Sequence, residues 1–175
     1  MTSCSLLILN LISGTGNVPV PGEAVERQVR SYLERGCPLL LLHGASAAFW
    51  QWDWWRAMVG YRWVRGADAD GFEASTHPSH PCLVQVAKSR HPLCRQLKPM
   101  DLPNDEIYIR LEQTCPTVTL METTIPEGTF PQCHICRSPW GGAVIGFIPG
   151  HKPDVVRNPD LIANVNCLIK FLLES

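Results

Sequence analysis

Two short, strongly apolar runs separated by a helical pattern constrain the fold of this chain more than any other feature. The runs are Ser5–Leu11 and Leu39–Leu42, and Gly36 lies just before the second as a helix terminator. Between the runs, apolar residues from Val25 to Leu33 recur at helical spacing. Strands that are apolar throughout and flank a helix are typical of a parallel βαβ unit, so the pattern predicts an α/β fold.

The rest of the chain adds further strands and one well-marked helix. Residues Gly60 to Pro81 show little periodicity and predict a long loop. Asn158 is placed as the N-cap of a C-terminal helix whose apolar residues form one stripe. We expect one domain over residues 1–175 with a mixed sheet. The predicted strands are Cys82–Ala87, Glu106–Leu111, Val118–Thr123, Cys133–Cys136 and Ala143–Ile148.

Charge and composition exclude several classes of function. The chain has 15 Lys and Arg against 16 Asp and Glu among 175 residues, a net charge of −1, which disfavours binding to nucleic-acid phosphates. No apolar stretch approaches the roughly 18 residues that a membrane span needs. The apolar start has no Lys or Arg before it and is interrupted by Asn10, unlike a signal peptide. The eight cysteines show no tight framework, so we expect reduced thiols and a cytoplasmic protein.

Two histidines follow predicted strands and are the first candidates for catalysis. His43 comes directly after Leu39–Leu42, and His151 follows the strand Ala143–Ile148 through a Pro-Gly turn. Ligands of open α/β sheets bind outside the carboxyl ends of the strands, so we expect the two imidazoles to meet at one edge of the sheet. There they would act as general acid and base, or as two ligands of a metal. Considered separately, each histidine has a simpler interpretation, as a residue in a turn without a catalytic role.

Carboxylates and aromatic residues complete the candidate site. In Asp105–Tyr108, strand alternation places Glu106 and Tyr108 on one face and Asp105 on the other. Either carboxylate is a candidate to orient or share a proton with a histidine. Four tryptophans crowd Trp50–Trp55; they either pack a helix on the sheet or offer flat faces to a sugar ring. Gly44 leaves space beside His43 for a ligand.

The other motifs in the sequence are weaker evidence of function. Cys133 and Cys136 have the spacing of half a zinc site, but as a strand they point to opposite faces. The turn after Leu39–Leu42 reads HGASA, with no Ser or Cys at the centre of a nucleophile elbow. Gly-rich nucleotide-binding loops are also absent from the sequence. These observations disfavour covalent acyl transfer and nucleotide chemistry.

A set of segments in one order resembles the ThuA-like (trehalose utilisation) family. Each segment is weakly specific alone, but together they cover nearly the whole chain. They are Leu40–Ser46 (LLLHGAS), Trp52–Trp55, Met58–Gly60, His91–Leu93, Asp105–Tyr108, Trp140–Val144, Gly150–His151 and Arg157–Pro159.

The resemblance implies a flavodoxin-like fold similar to class I glutamine amidotransferases, a three-layer sandwich with a mixed, mostly parallel sheet. It implies that His43 lies near the position of an amidotransferase cysteine and His151 near that enzyme's catalytic histidine, so glutamine hydrolysis is not expected. Relative to the family, the chain lacks about one N-terminal βα unit, roughly 30–40 residues. Its absence is expected to leave a gap beside Ser5–Leu11 or Leu39–Leu42. Cys133–His134 also departs from the aromatic residue that the family tends to carry.

The resemblance further implies a role in the utilisation of disaccharides, including keto-sugars. Our first hypothesis is sugar hydrolysis or isomerisation by His43 and His151, assisted by Glu106 or Asp105. We expect Gly44, Trp52, Trp54, Tyr108 and Trp140 to contact the sugar. The alternatives are a non-catalytic sugar-binding protein, an inactive truncated family member, or a divalent metal site on His43, His151 and a carboxylate. A homo-oligomer is a further expectation.

Overall fold

The computed structural model describes residues 4–14, 18–66 and 71–174, and these residues form an α/β fold. The strands are β1 (Leu7–Leu9), β2 (Leu39–Leu42), β3 (Tyr61–Arg62), β4 (Ser79–Val86), β5 (Met100–Glu106), β6 (Glu112–Gln113), β7 (Thr117–Ile125), β8 (Gly128–Arg137) and β9 (Ala143–Phe147). The helices are α1 (Glu23–Glu34), α2 (Asp53–Arg56), α3 (Pro153–Val156) and α4 (Pro159–Glu174). Two 3₁₀ turns cover His43–Ala47 and Pro92–Arg95.

Seven of these strands form one mixed sheet in the order β1-β2-β9-β8-β7-β4-β5. The pairs β1–β2 and β2–β9 are parallel, and the other four pairs are antiparallel. The expectation of a mostly parallel sheet is therefore not confirmed. The links from β7 to β8 and from β8 to β9 are too short for the crossover that a parallel pair requires, so these strands form antiparallel hairpins.

The predicted βαβ unit is confirmed as β1-α1-β2. Helix α1 ends just before Gly36, whose φ of +74° is a left-handed conformation that suits glycine at a helix terminus. On β2, Leu39 and Leu41 face the apolar cluster that includes α1, while Leu40 faces the cluster that includes α4. Helices thus cover both faces of this part of the sheet, which gives the three layers that the family resemblance implies.

Strand β1 lies at one edge of the sheet, directly paired with β2. Because β2 also pairs directly with β9, the described residues contain no gap beside β2, contrary to expectation; the outer side of β1 is an open edge of the sheet.

The C-terminal helix begins where the sequence predicts. The side-chain oxygen of Asn158 accepts hydrogen bonds from the backbone N–H groups of Asp160 (2.9 Å) and Leu161 (3.2 Å), as an N-cap does. Leu161, Leu168 and Leu172 are buried against the sheet.

Strand β5 corrects the predicted strand Glu106–Leu111. Its sequence, MDLPNDE, contains Pro103 and four polar residues, so no apolar run marks it. Proline is tolerated there because β5 lies at the sheet edge. Strand β5 ends at Glu106; beyond it the N–H of Ile107 donates to the carbonyl of Pro78, and Ile109 makes an isolated bridge with Thr76, so Glu106 ends a strand instead of starting one.

The predicted loop Gly60–Pro81 contains β3 and the start of β4, and its residues 67–70 lie outside the described residues. All eight cysteines are free thiols. None of the helices in the described parts of the chain is both long and apolar enough to cross a bilayer.

Candidate functional site

The parallel pairing of β2 and β9 delivers two histidines to the same edge of the sheet. Leu42, the last residue of β2, lies opposite Phe147, the last residue of β9. His43 follows Leu42 directly, and the chain after Phe147 reaches His151 within four residues. The predicted proximity of the two imidazoles is confirmed, with ring centroids 5.2 Å apart.

His43 has its ring fixed by three polar contacts. Its Nδ1 lies 2.9 Å from the carbonyl oxygen of Ile148. A carbonyl only accepts hydrogen bonds, so Nδ1 carries a proton, and in the neutral ring Nε2 presents its lone pair. That Nε2 lies 3.2 Å from Nδ1 of His151 and 3.2 Å from the hydroxyl of Tyr108. His43 therefore offers a basic nitrogen toward its neighbours.

Glu106 adds a carboxylate to the two rings, as the sequence predicts. Its Oε2 lies 3.4 Å from Nδ1 of His151 and 3.6 Å from Nε2 of His43. Its other oxygen, Oε1, lies 3.2 Å from Nδ1 of His77. The Glu106 side chain is 14% exposed, so its charge interacts with the rings in a site shielded from much of the solvent.

Tyr108 lies on the same side as Glu106, in agreement with the predicted alternation. Burial raises the pKa of its hydroxyl well above 10, and the nearby charges of Glu106 and Asp105 raise it further. The hydroxyl therefore keeps its proton at neutral pH and donates it in the hydrogen bond to Nε2 of His43.

Asp105 does not join the cavity but holds the loop that carries His151. It is 1% exposed, and its two carboxylate oxygens accept hydrogen bonds from the backbone N–H groups of Gly150 (2.8 Å) and His151 (3.0 Å). The expectation that Asp105 assists a histidine directly is corrected, because alternation turns it away from the rings. Its role in the structure is to position His151.

The cluster lies in a cavity of about 530 Å³, a size typical of small-molecule sites. The residues that line the cavity are Ile12, His43, Ala47, Trp63, Arg65, Gly66, His77, Glu106, Tyr108 and His151. His43, Glu106 and His151 each offer one ligand atom within 4.8 Å of the others, so these three could also hold a metal ion.

Sequence reasoning missed His77, Trp63 and Arg65 as cavity residues. They come from the aperiodic segment before β4, and nothing in the local sequence of that segment indicates that it reaches the cavity. The Trp63 ring packs edge-on against Tyr108 with centroids 4.9 Å apart, and also contacts His77. The one hint was His77 before a proline, which by itself predicts only a turn.

Gly44 permits the close packing beside His43. A Cβ at this position would lie 2.4 Å from Cδ1 of Ile12 and 3.4 Å from the Tyr108 hydroxyl. Since Ile12 and Tyr108 both line the cavity, a side chain at position 44 would displace part of its wall. Gly44 therefore shapes the cavity without lining it.

A family model for trehalose utilisation, ThuA, matches residues 2–169. The chain belongs to the ThuA family. Two solved structures of ThuA-like proteins share the fold at 16% sequence identity. The protein from Parabacteroides merdae has a TM-score of 0.69, with 90% of this chain and 63% of that chain covered. The protein from Bacteroides uniformis has a TM-score of 0.70, with 96% and 69% covered.

The chain thus spans about two thirds of the length of these ThuA-like structures. A search of curated protein sequences finds no match. These findings confirm the family resemblance and the α/β fold with a mixed sheet, whose pairs are mostly antiparallel.

Three tryptophans expected to contact a sugar lie elsewhere in this ThuA fold. Trp52 is 4% exposed and stacks between Phe49 and Trp54 in the apolar cluster on the α1 side. Trp54 donates its ring N–H to Glu26 on α1 at 2.7 Å, and Trp140 packs against Trp54. Their assignment to a sugar site is corrected: they pack α1 and α2 on the sheet, and burial of large aromatic area explains them.

The Cys133–Cys136 segment forms no ligand pair. Cys133 faces the apolar cluster on the α4 side and Cys136 the one on the α1 side, as strand alternation predicts. Between them His134 is buried, with Nε2 3.1 Å from the carbonyl of Val59. Burial lowers the pKa of His134 to about 4, so its ring is neutral and serves as part of the core.

Proposed function

We propose that this chain acts on a disaccharide or keto-sugar by acid/base chemistry of His43 and His151. The observation that carries the proposal is the approach of His43 Nε2 to His151 Nδ1 at 3.2 Å beside the carboxylate of Glu106. A sugar-related role fits the ThuA family, whose model is described as trehalose utilisation.

The cluster supports proton transfer in a defined direction. His43 donates Nδ1–H to Ile148, so its Nε2 keeps a lone pair that can take a proton from a hydroxyl or from a carbon next to a carbonyl when a substrate displaces the Tyr108 hydroxyl. His151, partly exposed at the cavity, is placed to return a proton to the departing or rearranging oxygen. The carboxylate of Glu106 stabilises whichever ring is positively charged. Hydrolysis and isomerisation of a keto-sugar can both use an acid and a base placed in this way.

The cavity offers a surface for a sugar ring as well as proton-transfer groups. Trp63 is partly exposed beside the histidines, where it packs against the buried ring of Tyr108, and an aromatic face suits the C–H face of a sugar. The same surface favours the second candidate function, binding of a sugar without turnover.

The test is an assay of the purified chain with trehalose and with a keto-disaccharide made by oxidising trehalose at one secondary hydroxyl. We expect turnover of the keto-sugar, and a loss of about 10²–10⁴-fold in His43→Ala and in His151→Ala. His80→Ala is the matched control, because His80 pairs with Glu127 and does not line the cavity.

Two other results discriminate between the candidates. Saturable binding without turnover, weakened by Trp63→Ala and retained by His43→Ala, would favour the binding protein. Absence of both binding and turnover for every sugar tested would reject the proposed function.

A further inference from the structure

Three ligand atoms in the cavity are spaced like the corners of a metal coordination sphere. The distances are 3.2 Å from His43 Nε2 to His151 Nδ1, 3.4 Å from His151 Nδ1 to Glu106 Oε2 and 3.6 Å from Glu106 Oε2 to His43 Nε2. Zinc–nitrogen and zinc–oxygen bonds of about 2.0–2.2 Å in a tetrahedron separate the ligands by about 3.3–3.6 Å. The observed triangle agrees with one face of such a tetrahedron.

We propose that His43, Glu106 and His151 bind one divalent zinc ion through these three atoms. Two imidazole nitrogens with one carboxylate oxygen are a ligand set that suits zinc better than magnesium or calcium, which prefer oxygen ligands. Three protein ligands leave a fourth position, and all three residues line the cavity where a small molecule can reach it. An open fourth position is characteristic of catalytic zinc sites.

The surrounding residues orient each ligand as metal sites require. His43 donates its other ring nitrogen to the Ile148 carbonyl, which fixes the ring and directs Nε2 to the ion. Glu106 is held through its second oxygen by His77. Asp105 fixes the backbone at His151. Each ligand therefore has support that does not use its binding atom.

The inference deepens the proposed function and rests on the same site. A bound zinc ion would lower the pKa of a water or sugar hydroxyl in the fourth position. The lone pairs of both rings would then bind the ion, so proton transfer would pass to that water or hydroxyl. Without an ion, the three atoms can instead share one proton between the two rings and the carboxylate. A measurement of zinc binding therefore distinguishes a metal site from a proton-sharing cluster and needs no sugar substrate.

The experiment is calorimetric titration of zinc chloride into the chelator-treated chain, with metal content measured on the protein as purified. We expect one zinc ion per chain. Glu106→Gln and His151→Ala should each lower the affinity by more than the roughly 10–100-fold lost when an outer-shell partner of a metal ligand is changed, while His80→Ala should bind as the unaltered chain does. Circular dichroism on each variant shows whether it is folded, and Glu106→Gln, nearly equal in shape, guards against a loss caused by misfolding.

Cobalt provides a second readout. Substituted in a tetrahedral site, it should give intense visible absorption bands that disappear in Glu106→Gln. Failure of the chain to bind zinc, or equal affinity in the chain and both ligand variants, would overturn the inference. Turnover by a chain that binds no zinc would overturn the metal site and leave the proposed function standing. Zinc binding without activity on any sugar would support the metal site and reject the proposed function.

Discussion

At the scale of single residues, His43 combines an unusual backbone with a fixed ring. Its φ is +50°, a left-handed conformation that costs a residue with a Cβ about 1–2 kcal/mol. Its ring contacts Ile148, Tyr108 and His151, and these contacts hold the conformation. Strain of this kind is concentrated at functional sites, which agrees with the role proposed for His43.

Asp105 provides a prediction at the same scale. In Asp105→Asn, the amide retains one acceptor, so one of the N–H groups of Gly150 and His151 loses its partner. We expect the free energy of unfolding to fall by about 1–3 kcal/mol. We also expect kcat on the keto-sugar to fall with little change in KM, because His151 is displaced while the aromatic wall is intact. Asp101→Asn is the control for urea unfolding and kinetics, because Asp101 is exposed on the same strand. An equal loss of stability and of kcat in Asp101→Asn would contradict the positioning role of Asp105.

His134 predicts how stability depends on pH. Burial lowers its folded-state pKa from 6.5 to about 4. Its Nδ1 has no hydrogen-bond partner, so an N–H formed there by protonation would have no acceptor. Below pH 6.5 the unfolded chain binds a proton at this ring that the folded chain does not, so stability decreases as pH falls from 6.5 toward 4. The loss from this ring alone should approach about 3 kcal/mol.

The measurement is urea unfolding across that pH range. His134→Gln retains a donor for the Val59 carbonyl but does not titrate, so its stability should depend less steeply on pH. The same pH dependence in both proteins would show that the buried ring is not responsible.

At the scale of elements, the Asn158 cap ties α4 to the edge strand β5, whose last residue is Glu106. Besides its two capping bonds, Asn158 donates through Nδ2 to the carbonyl of Asp101 on β5 at 3.2 Å. Asn158→Ala removes these bonds, and we expect a loss of about 1–2 kcal/mol in the free energy of unfolding. Asn166→Ala, exposed within the same helix, is the comparison. Thermal unfolding of the two variants should separate clearly; indistinguishable stabilities would contradict the capping role.

The elements also show what local sequence can predict. Strands β1, β2 and β9 and helix α4 were predictable because continuous apolar runs and an apolar stripe mark them. Strand β5 was not, because its alternation is interrupted by Pro103 and its outward residues are polar. The directions of the antiparallel strands depend on which strands pair, and alternation within a strand does not record its partner.

At the scale of the whole molecule, the meeting of His43 and His151 was predictable because both follow buried strands that pair in parallel. The remaining cavity residues depend on long-range contacts: His77 and Trp63 reach the site through a segment without periodicity. The tryptophans of Trp50–Trp55 show that the chemistry of a side chain does not by itself predict where it lies. Their chemistry suits a sugar, but the packing of α1 and α2 on the sheet buries Trp52 and Trp55 in the core.

The central claim is that His43 and His151 act as one unit, and a double-mutant cycle on kcat/KM for a keto-disaccharide tests it most directly. We predict that each histidine-to-alanine variant loses about 10²–10⁴-fold, as expected for positioned proton transfer. The double variant should then fall no more than about threefold below the worse single variant, because residues that act together are not additive. Losses that multiply in the double variant, or turnover that survives both substitutions, would contradict the account.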